Sequence, residues 1–102
     1  MVTDARALQD AGADIVLLEC VPSEVGQAVT ESLEVPVIGI GAGPHVDGQI
    51  LVLYDVLGIT QGRMPRFVKN FMTGSDSIPD ALNHYVHAVK EREYPAPEHC
   101  FS

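Results

Sequence analysis

The stretches that decide the fold are IVLLE at residues 15–19 and VIGIGAG at residues 37–43. Each begins with four residues that do not alternate with polar ones, the pattern of parallel strands covered by helices on both faces. Two segments have apolar side chains at helical spacing and are predicted helices: residues 3–11, before the first strand, and residues 23–33, between the two strands. Thr3 and Ser23 are the predicted caps of these helices. The order helix, strand, helix, strand predicts an α/β fold with a parallel sheet.

The second half of the chain predicts a third strand at residues 50–53 and a short helical turn at residues 54–57. The connection to this strand would be residues 42–48. This is shorter than a usual parallel crossover, which takes about a dozen residues or more. Residues 60–76 predict an ordered loop with a helical turn at residues 67–72. Ser77 and Pro79 then open an amphipathic helix over residues 78–93, since serine caps helices and proline fits their first turn.

Composition excludes two classes of partner. Fourteen acidic and six basic residues give a net charge of −8, which repels nucleic-acid phosphates and anionic lipid surfaces and predicts no binding to nucleic acids or membranes. The first residues lack the basic start and apolar block of a secretory signal, so a cytoplasmic location is expected. Cys20 and Cys100 are therefore expected to be reduced thiols.

Glu19 is the strongest candidate for chemistry. A carboxylate directly after four large aliphatic residues lies at the carboxyl end of a buried strand, which is the catalytic edge of α/β barrels. Partial burial there disfavours the charged carboxylate and makes it a better proton acceptor. The alternative is a helix-capping or salt-bridged acid at a strand end, and the spacing alone favours neither interpretation.

Three glycines follow the second strand, at Gly39, Gly41 and Gly43. Their backbone could approach an anionic ligand, but the segment lacks the following helix and acidic partner of a dinucleotide fingerprint. A structural tight turn is the favoured interpretation.

Basic and histidine side chains form three further candidate groups. Three of the six basic residues, Arg63, Arg66 and Lys69, lie within seven positions. They could contact an anion, but the favoured interpretation is a solvated or subunit-contacting segment. Two pairs could each offer two metal ligands, but neither has a third ligand at a recognisable spacing, so we interpret them as surface residues. These groups are Arg63, Arg66 and Lys69, then His45 with Asp47, and His84 with His87.

Three motifs, in this order along the chain, resemble one family. They are LECVP at residues 18–22, PVIGIGAG at residues 36–43 and DGQILV at residues 47–52. Residues 65–71 and 94–99 resemble the family's C-terminal ending. Over essentially its whole length, the chain resembles the C-terminal part of ketopantoate hydroxymethyltransferase.

The resemblance implies a partial (β/α)8 TIM barrel of the phosphoenolpyruvate/pyruvate type. Residues 1–102 would supply about the last three strands and the C-terminal helices, with residues 94–102 as a C-terminal tail. The implied reaction transfers a hydroxymethyl unit from 5,10-methylenetetrahydrofolate to 3-methyl-2-oxobutanoate, giving 2-dehydropantoate for pantothenate biosynthesis. Glu19 occupies the position of the family's proton acceptor at C3 of the keto acid. The implied Mg²⁺ is held by acidic residues of earlier strands, and no residue here is assigned to the metal or to substrate binding.

Chain length limits what the resemblance implies. A barrel of this kind usually takes about 250 residues, so we expect the isolated chain to expose strand edges and to be inactive. Truncation of a longer gene is the first expectation, with a separate chain for the rest of the barrel or association of copies as alternatives. Two other functions stay open: a related metal-enolate barrel enzyme acting on another keto acid, or a non-catalytic assembly module in a homo-oligomer.

Overall fold

Two parallel strands form the centre of the fold in a computed structural model, which describes residues 1–101. Strand β1 (Val16–Glu19) pairs with β2 (Val37–Ile40), and Glu19 lies opposite Ile40. The predicted α/β fold with a parallel sheet is confirmed. The first strand is shifted by one residue from its predicted bounds, so that Glu19 is its last residue.

Two helices cover one face of this sheet. Helix α1 (Val2–Asp10) and helix α2 (Ser23–Ser32) contribute Ala5 and Val29 to a core with Val16, Leu18 and Val37. The opposite face is open, which contradicts the prediction of cover on both faces: Ile15 and Leu17 are 59% and 52% exposed. The reason is that both helices pack on the same side, and no other element of residues 1–101 covers the far side of β1.

The predicted caps of α1 and α2 are both wrong. Thr3 lies inside α1, whose N-cap is Met1, and Ser23 is the first residue of α2, whose N-cap is Pro22. Because Ser23 lies one residue past the N-cap position, its side chain does not cap the helix, and its buried Oγ has no hydrogen-bond partner among the described residues.

The third strand lies earlier than predicted. Strand β3 (Gly48–Gln49) pairs in parallel with Ile38 and Gly39 of β2, and residues 50–53 are not a strand. The short connection suffices because β2 spans only four residues, and an extended chain advances more than 3 Å per residue. The Asp47 side chain anchors the returning loop, since its Oδ2 accepts a hydrogen bond from Val37 N at 2.8 Å.

The second half of the chain packs around one phenylalanine. Helix α3 (Leu53–Val56), helix α4 (Ile78–Lys90) and a 3₁₀ turn (Pro97–His99) frame a core centred on Phe71. Ser77 caps α4 as predicted, its Oγ accepting from Asp80 N. The helix ends at Lys90, before residue 93. Residues 67–72 do not form the predicted helical turn, because residues 68–70 are irregular and hydrogen-bonded turns lie only on either side of them.

The two cores give the chain an elongated shape. Its extents are 45 × 23 × 23 Å and its radius of gyration is 14.4 Å, compared with about 13 Å for a compact domain of this length. Within residues 1–101, no helix combines the length and apolar composition needed to cross a membrane. The last residue of the predicted tail, Ser102, lies outside the described residues.

Candidate functional site

Glu19 lies at the carboxyl end of the open sheet face. Side chains alternate along a strand, and because Val16 and Leu18 face the helices, Leu17 and Glu19 face the open side. Ile40 is the partner of Glu19 on β2. The Glu19 side chain is exposed, so the expectation of partial burial is wrong for the described residues. The cause is the uncovered face, which leaves this carboxylate accessible beside apolar side chains.

The turn that follows Glu19 has an unusual backbone. Cys20 has φ 55°, the left-handed region that residues with a Cβ adopt at a cost of about 1–2 kcal/mol. Two hydrogen bonds, one to the last residue of β2 and one to the glycine after it, hold the turn: Cys20 N donates to Ile40 O at 2.9 Å, and Val21 N donates to Gly41 O at 3.1 Å. The sequence did not indicate Cys20, because a single left-handed residue other than glycine leaves no compositional signal.

The glycine-rich segment packs closely against two side chains. A Cβ on Gly41 would lie 2.8 Å from the Phe67 ring, and one on Gly43 would clash with the Ser23 side chain. Both glycines have positive φ, 70° and 82°. These contacts favour the structural interpretation of the turn, since the space beside the backbone is filled by protein side chains.

The C-terminal segment, defined here as residues 94–101, contacts the turn after Glu19. Phe101 forms a parallel bridge with Pro22, and Ser23 N donates to Phe101 O at 3.1 Å. Tyr94 is buried and its hydroxyl donates to Phe67 O. Burial raises the pKa of Tyr94 far above its usual range, so the hydroxyl remains protonated and a donor. Sequence reasoning missed Phe101 because the contact joins residues about 80 positions apart.

The three clustered basic residues do not share one contact. The Arg66 guanidinium lies 5.8 Å from the centroid of the Phe101 ring, whereas Lys69 Nζ lies 5.1 Å from that of Phe71. Arg63 is exposed in the loop. Arg66 and His45 line an open cleft beside Ser23 and Phe101. Of the three, Arg66 alone lines this cleft, so it is the candidate that remains for the alternative of an anion contact. The exposed Arg63 fits the favoured interpretation of a solvated segment.

The two pairs that could have offered metal ligands lie at the surface, as interpreted from the sequence: His45, Asp47 and His87 are exposed and His84 is half-buried. Asp47 accepts a backbone hydrogen bond, and the His84 ring packs edge-on against Phe71 at 5.2 Å between centroids. In the part of the chain that the structure describes, no group of three or more His, Cys, Asp and Glu side chains could hold a metal ion. Cys20 and Cys100 are both free.

Comparison with known proteins shows the family. The sequence model of ketopantoate hydroxymethyltransferase matches residues 1–97. The chain belongs to the ketopantoate hydroxymethyltransferase family. The match includes β1, the turn after Glu19 and the glycine-rich segment, so family membership covers most of the candidate site, with Phe101 just beyond the matched residues.

Curated relatives agree with the family match. The 3-methyl-2-oxobutanoate hydroxymethyltransferase of Chromohalobacter salexigens is 60% identical over 101 residues, covering 99% of this chain and 38% of that protein. The enzyme of the same name from Alkalilimnicola ehrlichii is 59% identical, with 99% and 36% covered. 3-Methyl-2-oxobutanoate hydroxymethyltransferase 2 of Hahella chejuensis is 56% identical, with 100% and 39% covered. The chain therefore spans less than two fifths of these relatives.

Proposed function

We propose that this chain carries the catalytic base of a 3-methyl-2-oxobutanoate hydroxymethyltransferase, and that the base is Glu19. The observation that carries the proposal is the position of Glu19: an accessible carboxylate at the carboxyl end of a parallel strand, beside apolar side chains. Catalytic groups of α/β barrels lie at this end of their strands. The relatives' names give the reaction, the transfer of a hydroxymethyl unit to 3-methyl-2-oxobutanoate.

The proposed step is proton abstraction next to a carbonyl group. The Glu19 carboxylate accepts the proton from C3 of the keto acid, and the electron pair of the broken C–H bond passes into the enolate. The enolate carbon then forms a bond to the methylene carbon of 5,10-methylenetetrahydrofolate. Both C–N bonds of that carbon break, water supplies the hydroxyl oxygen, and tetrahydrofolate leaves with the proton held by Glu19 and one proton of the water on its two nitrogens. Leu17 lies two residues before Glu19 on the same face of β1, and Ile40 is the partner of Glu19 on β2, so apolar side chains adjoin the carboxylate.

The resemblance also implies a magnesium ion, which the described residues do not fit. Because residues 1–101 offer no cluster of ligands, we assign the metal to none of them and derive no step through it.

We further propose that residues 1–102 are part of a (β/α)8 barrel. The order β1-β2-β3 of parallel strands, with α1 and α2 on one face, supports this proposal. In a barrel the open face of β1 would line the interior, which accounts for the exposed Ile15 and Leu17. The cytoplasmic location stays a prediction. The barrel proposal is tested by crosslinking Leu17→Cys to the rest of a full-length barrel, and a surface-exposed, uncrosslinked residue 17 would contradict it.

A graft tests the function directly. This chain replaces the matching 101 residues of the Chromohalobacter salexigens relative, and 2-dehydropantoate formation is measured with 5,10-methylenetetrahydrofolate as donor. Glu19→Gln should lower kcat by about 10²–10⁴-fold, the usual contribution of a general base, with little change in the KM for the keto acid. Glu31→Gln, an exposed acid at the far end of α2, is the matched control. Full activity of Glu19→Gln would rule out Glu19 as the base.

Other keto acids, offered to the same graft, test the related-enzyme alternative. Faster turnover of another keto acid than of 3-methyl-2-oxobutanoate would favour it over the proposed substrate.

A second role, assembly with another copy, is favoured by one observation. Ile78, Leu82 and Val86 form an exposed apolar stripe along α4, spaced four residues apart. Sedimentation velocity of the 102-residue chain tests this role. A single monomeric species at micromolar concentration would contradict it.

A further inference from the structure

We propose that the C-terminal segment positions the catalytic carboxylate, with Phe101 and Phe67 as positioning residues. The Glu19 turn, defined as residues 19–23, joins β1 to α2. The proposal rests on the assignment of Glu19 as the base, and it gives a role in the reaction to residues that are remote from Glu19 in the sequence.

The Glu19 turn depends on its surroundings for its conformation. Cys20 occupies the left-handed region at φ 55°, and a strained residue of this kind persists only when neighbouring structure holds it. On one side, the end of β2 and the glycine that follows it hold the turn, through the hydrogen bonds from Cys20 N to Ile40 O and from Val21 N to Gly41 O. These bonds fix the part of the turn nearest Glu19.

Phe101 holds the other side of the Glu19 turn. Ser23 N donates to Phe101 O at 3.1 Å, and Pro22 pairs with Phe101 in a parallel bridge. The last described residue of the chain therefore acts as a one-residue strand beside the turn. The turn is clamped between β2 and the C-terminal segment.

Phe67 connects the two sides of this clamp. Its ring packs against the Gly41 backbone so closely that a Cβ there would lie 2.8 Å away. The same ring lies 6.4 Å from that of Phe101, between centroids. Phe67 is buried, and its carbonyl accepts the Tyr94 hydroxyl from the start of the C-terminal segment. Movement of Phe101 would thus release both Ser23 and the packing on Gly41.

Release of the clamp should affect turnover more than substrate affinity. A misplacement of about 1 Å in a reacting group can lower the rate by about 100-fold, because proton transfer needs close alignment. Loss of the Phe101 ring would loosen Phe67 and its packing on Gly41, whose carbonyl accepts from Val21 N. Cys20 could then relax from the left-handed region and move the Glu19 carboxylate. The change should therefore appear in kcat, with a smaller change in KM.

Amide hydrogen exchange of the full 102-residue chain tests the clamp without reference to catalysis. Phe101→Ala should speed exchange of the Ser23 and Val21 amides by about 10-fold or more, while amides of α4 keep their protection. Phe101→Tyr, which keeps the ring, should behave as the unchanged chain. Glu98→Gln, an exposed change in the same segment, is the control. Unchanged protection of Ser23, or equal losses throughout the chain, would overturn the proposal.

Kinetics of the graft test the positioning role. Phe101→Ala should lower kcat by about 10–100-fold with the KM for the keto acid nearly unchanged. Adding Cys20→Gly should restore part of the loss, because glycine adopts φ 55° without steric cost. A purely structural role for Phe101 predicts no such rescue. Unchanged kcat in Phe101→Ala, or no recovery on adding Cys20→Gly, would overturn the proposal.

The two experiments separate the two proposals. If Glu19→Gln keeps full activity, the assignment of the base is wrong, yet the amide exchange still reports whether Phe101 holds the turn. If Glu19→Gln is inactive and Phe101→Ala is fully active, the base is retained and the positioning role is wrong.

Discussion

The sheet half of the chain, residues 1–49, and the helical half, residues 50–101, have cores of different chemistry. The sheet core consists of Val, Leu and Ala side chains from neighbouring strands and helices. In the helical half, Phe71 lies among the rings of His84, Tyr85 and Tyr94 at 5.2–5.5 Å between centroids. The aliphatic core arises from contiguous apolar runs, whereas the aromatic core gathers single rings from separate turns and helices.

Glu19 belongs to the sheet half, but the turn that follows it contacts both halves. Its strand is part of the sheet half, and the turn that follows it contacts Phe101 of the helical half. Phe67 packs on Gly41 at the same junction. A change in the aromatic half should therefore reach the candidate site through a small number of contacts.

The largest expected effect on stability is that of Phe71→Ala. Phe71 is fully buried with three aromatic neighbours, and removal of such a side chain costs about 3–5 kcal/mol. Chemical denaturation measures the loss in free energy of unfolding, and amide exchange locates it in α4 before β1 and β2. Tyr54→Ala, at an exposed position, should change little. Equal loss of protection in both halves would mean that they form one cooperative core.

Gly41→Ala tests the junction between the halves. The new methyl group suffers the left-handed backbone cost of about 1–2 kcal/mol and also meets the Phe67 ring. Gly62→Ala is the matched control, because Gly62 has φ 95° but nothing lies within 4 Å of the position that its new methyl group would take. Gly41→Ala should lower the free energy of unfolding by about 1–3 kcal/mol more than the control. Equal losses would show that the Phe67 contact is unimportant.

A smaller effect is expected from pH at the C-terminal segment. His99 Nδ1 accepts a hydrogen bond from Ala96 N at 3.0 Å, and burial lowers the pKa of His99. Because its folded pKa lies below the unfolded value of about 6.5, its stabilising contribution is complete above that pH. The contribution is lost as the pH falls through the folded pKa. His99→Asn, which keeps an acceptor that does not titrate, should remove this part of the pH dependence below about pH 6.5. An unchanged profile would contradict the assignment to His99.

The same contrast explains what could be predicted from the sequence. Strands β1 and β2, and the position of Glu19 at a strand end, were predictable because residues 15–18 and 37–40 are uninterrupted runs without polar side chains. Ser77 was predictable because its capping chemistry is local. The role of Glu19 stays a prediction. The strand at Gly48 was misplaced because the adjacent apolar run, residues 50–53, is the stronger signal. The clamp on the Glu19 turn could not be predicted, since Phe67 and Phe101 carry no periodic pattern and Cys20 shows its left-handed backbone only in three dimensions.

The most direct measurement is deuterium exchange at C3 of 3-methyl-2-oxobutanoate, followed by proton NMR in the graft without the folate donor. This assay isolates proton transfer from the later bond formation. Exchange should be rapid with Glu19 present and almost absent with Glu19→Gln, while Glu31→Gln exchanges normally. Undiminished exchange in Glu19→Gln would contradict the assignment of Glu19 as the base.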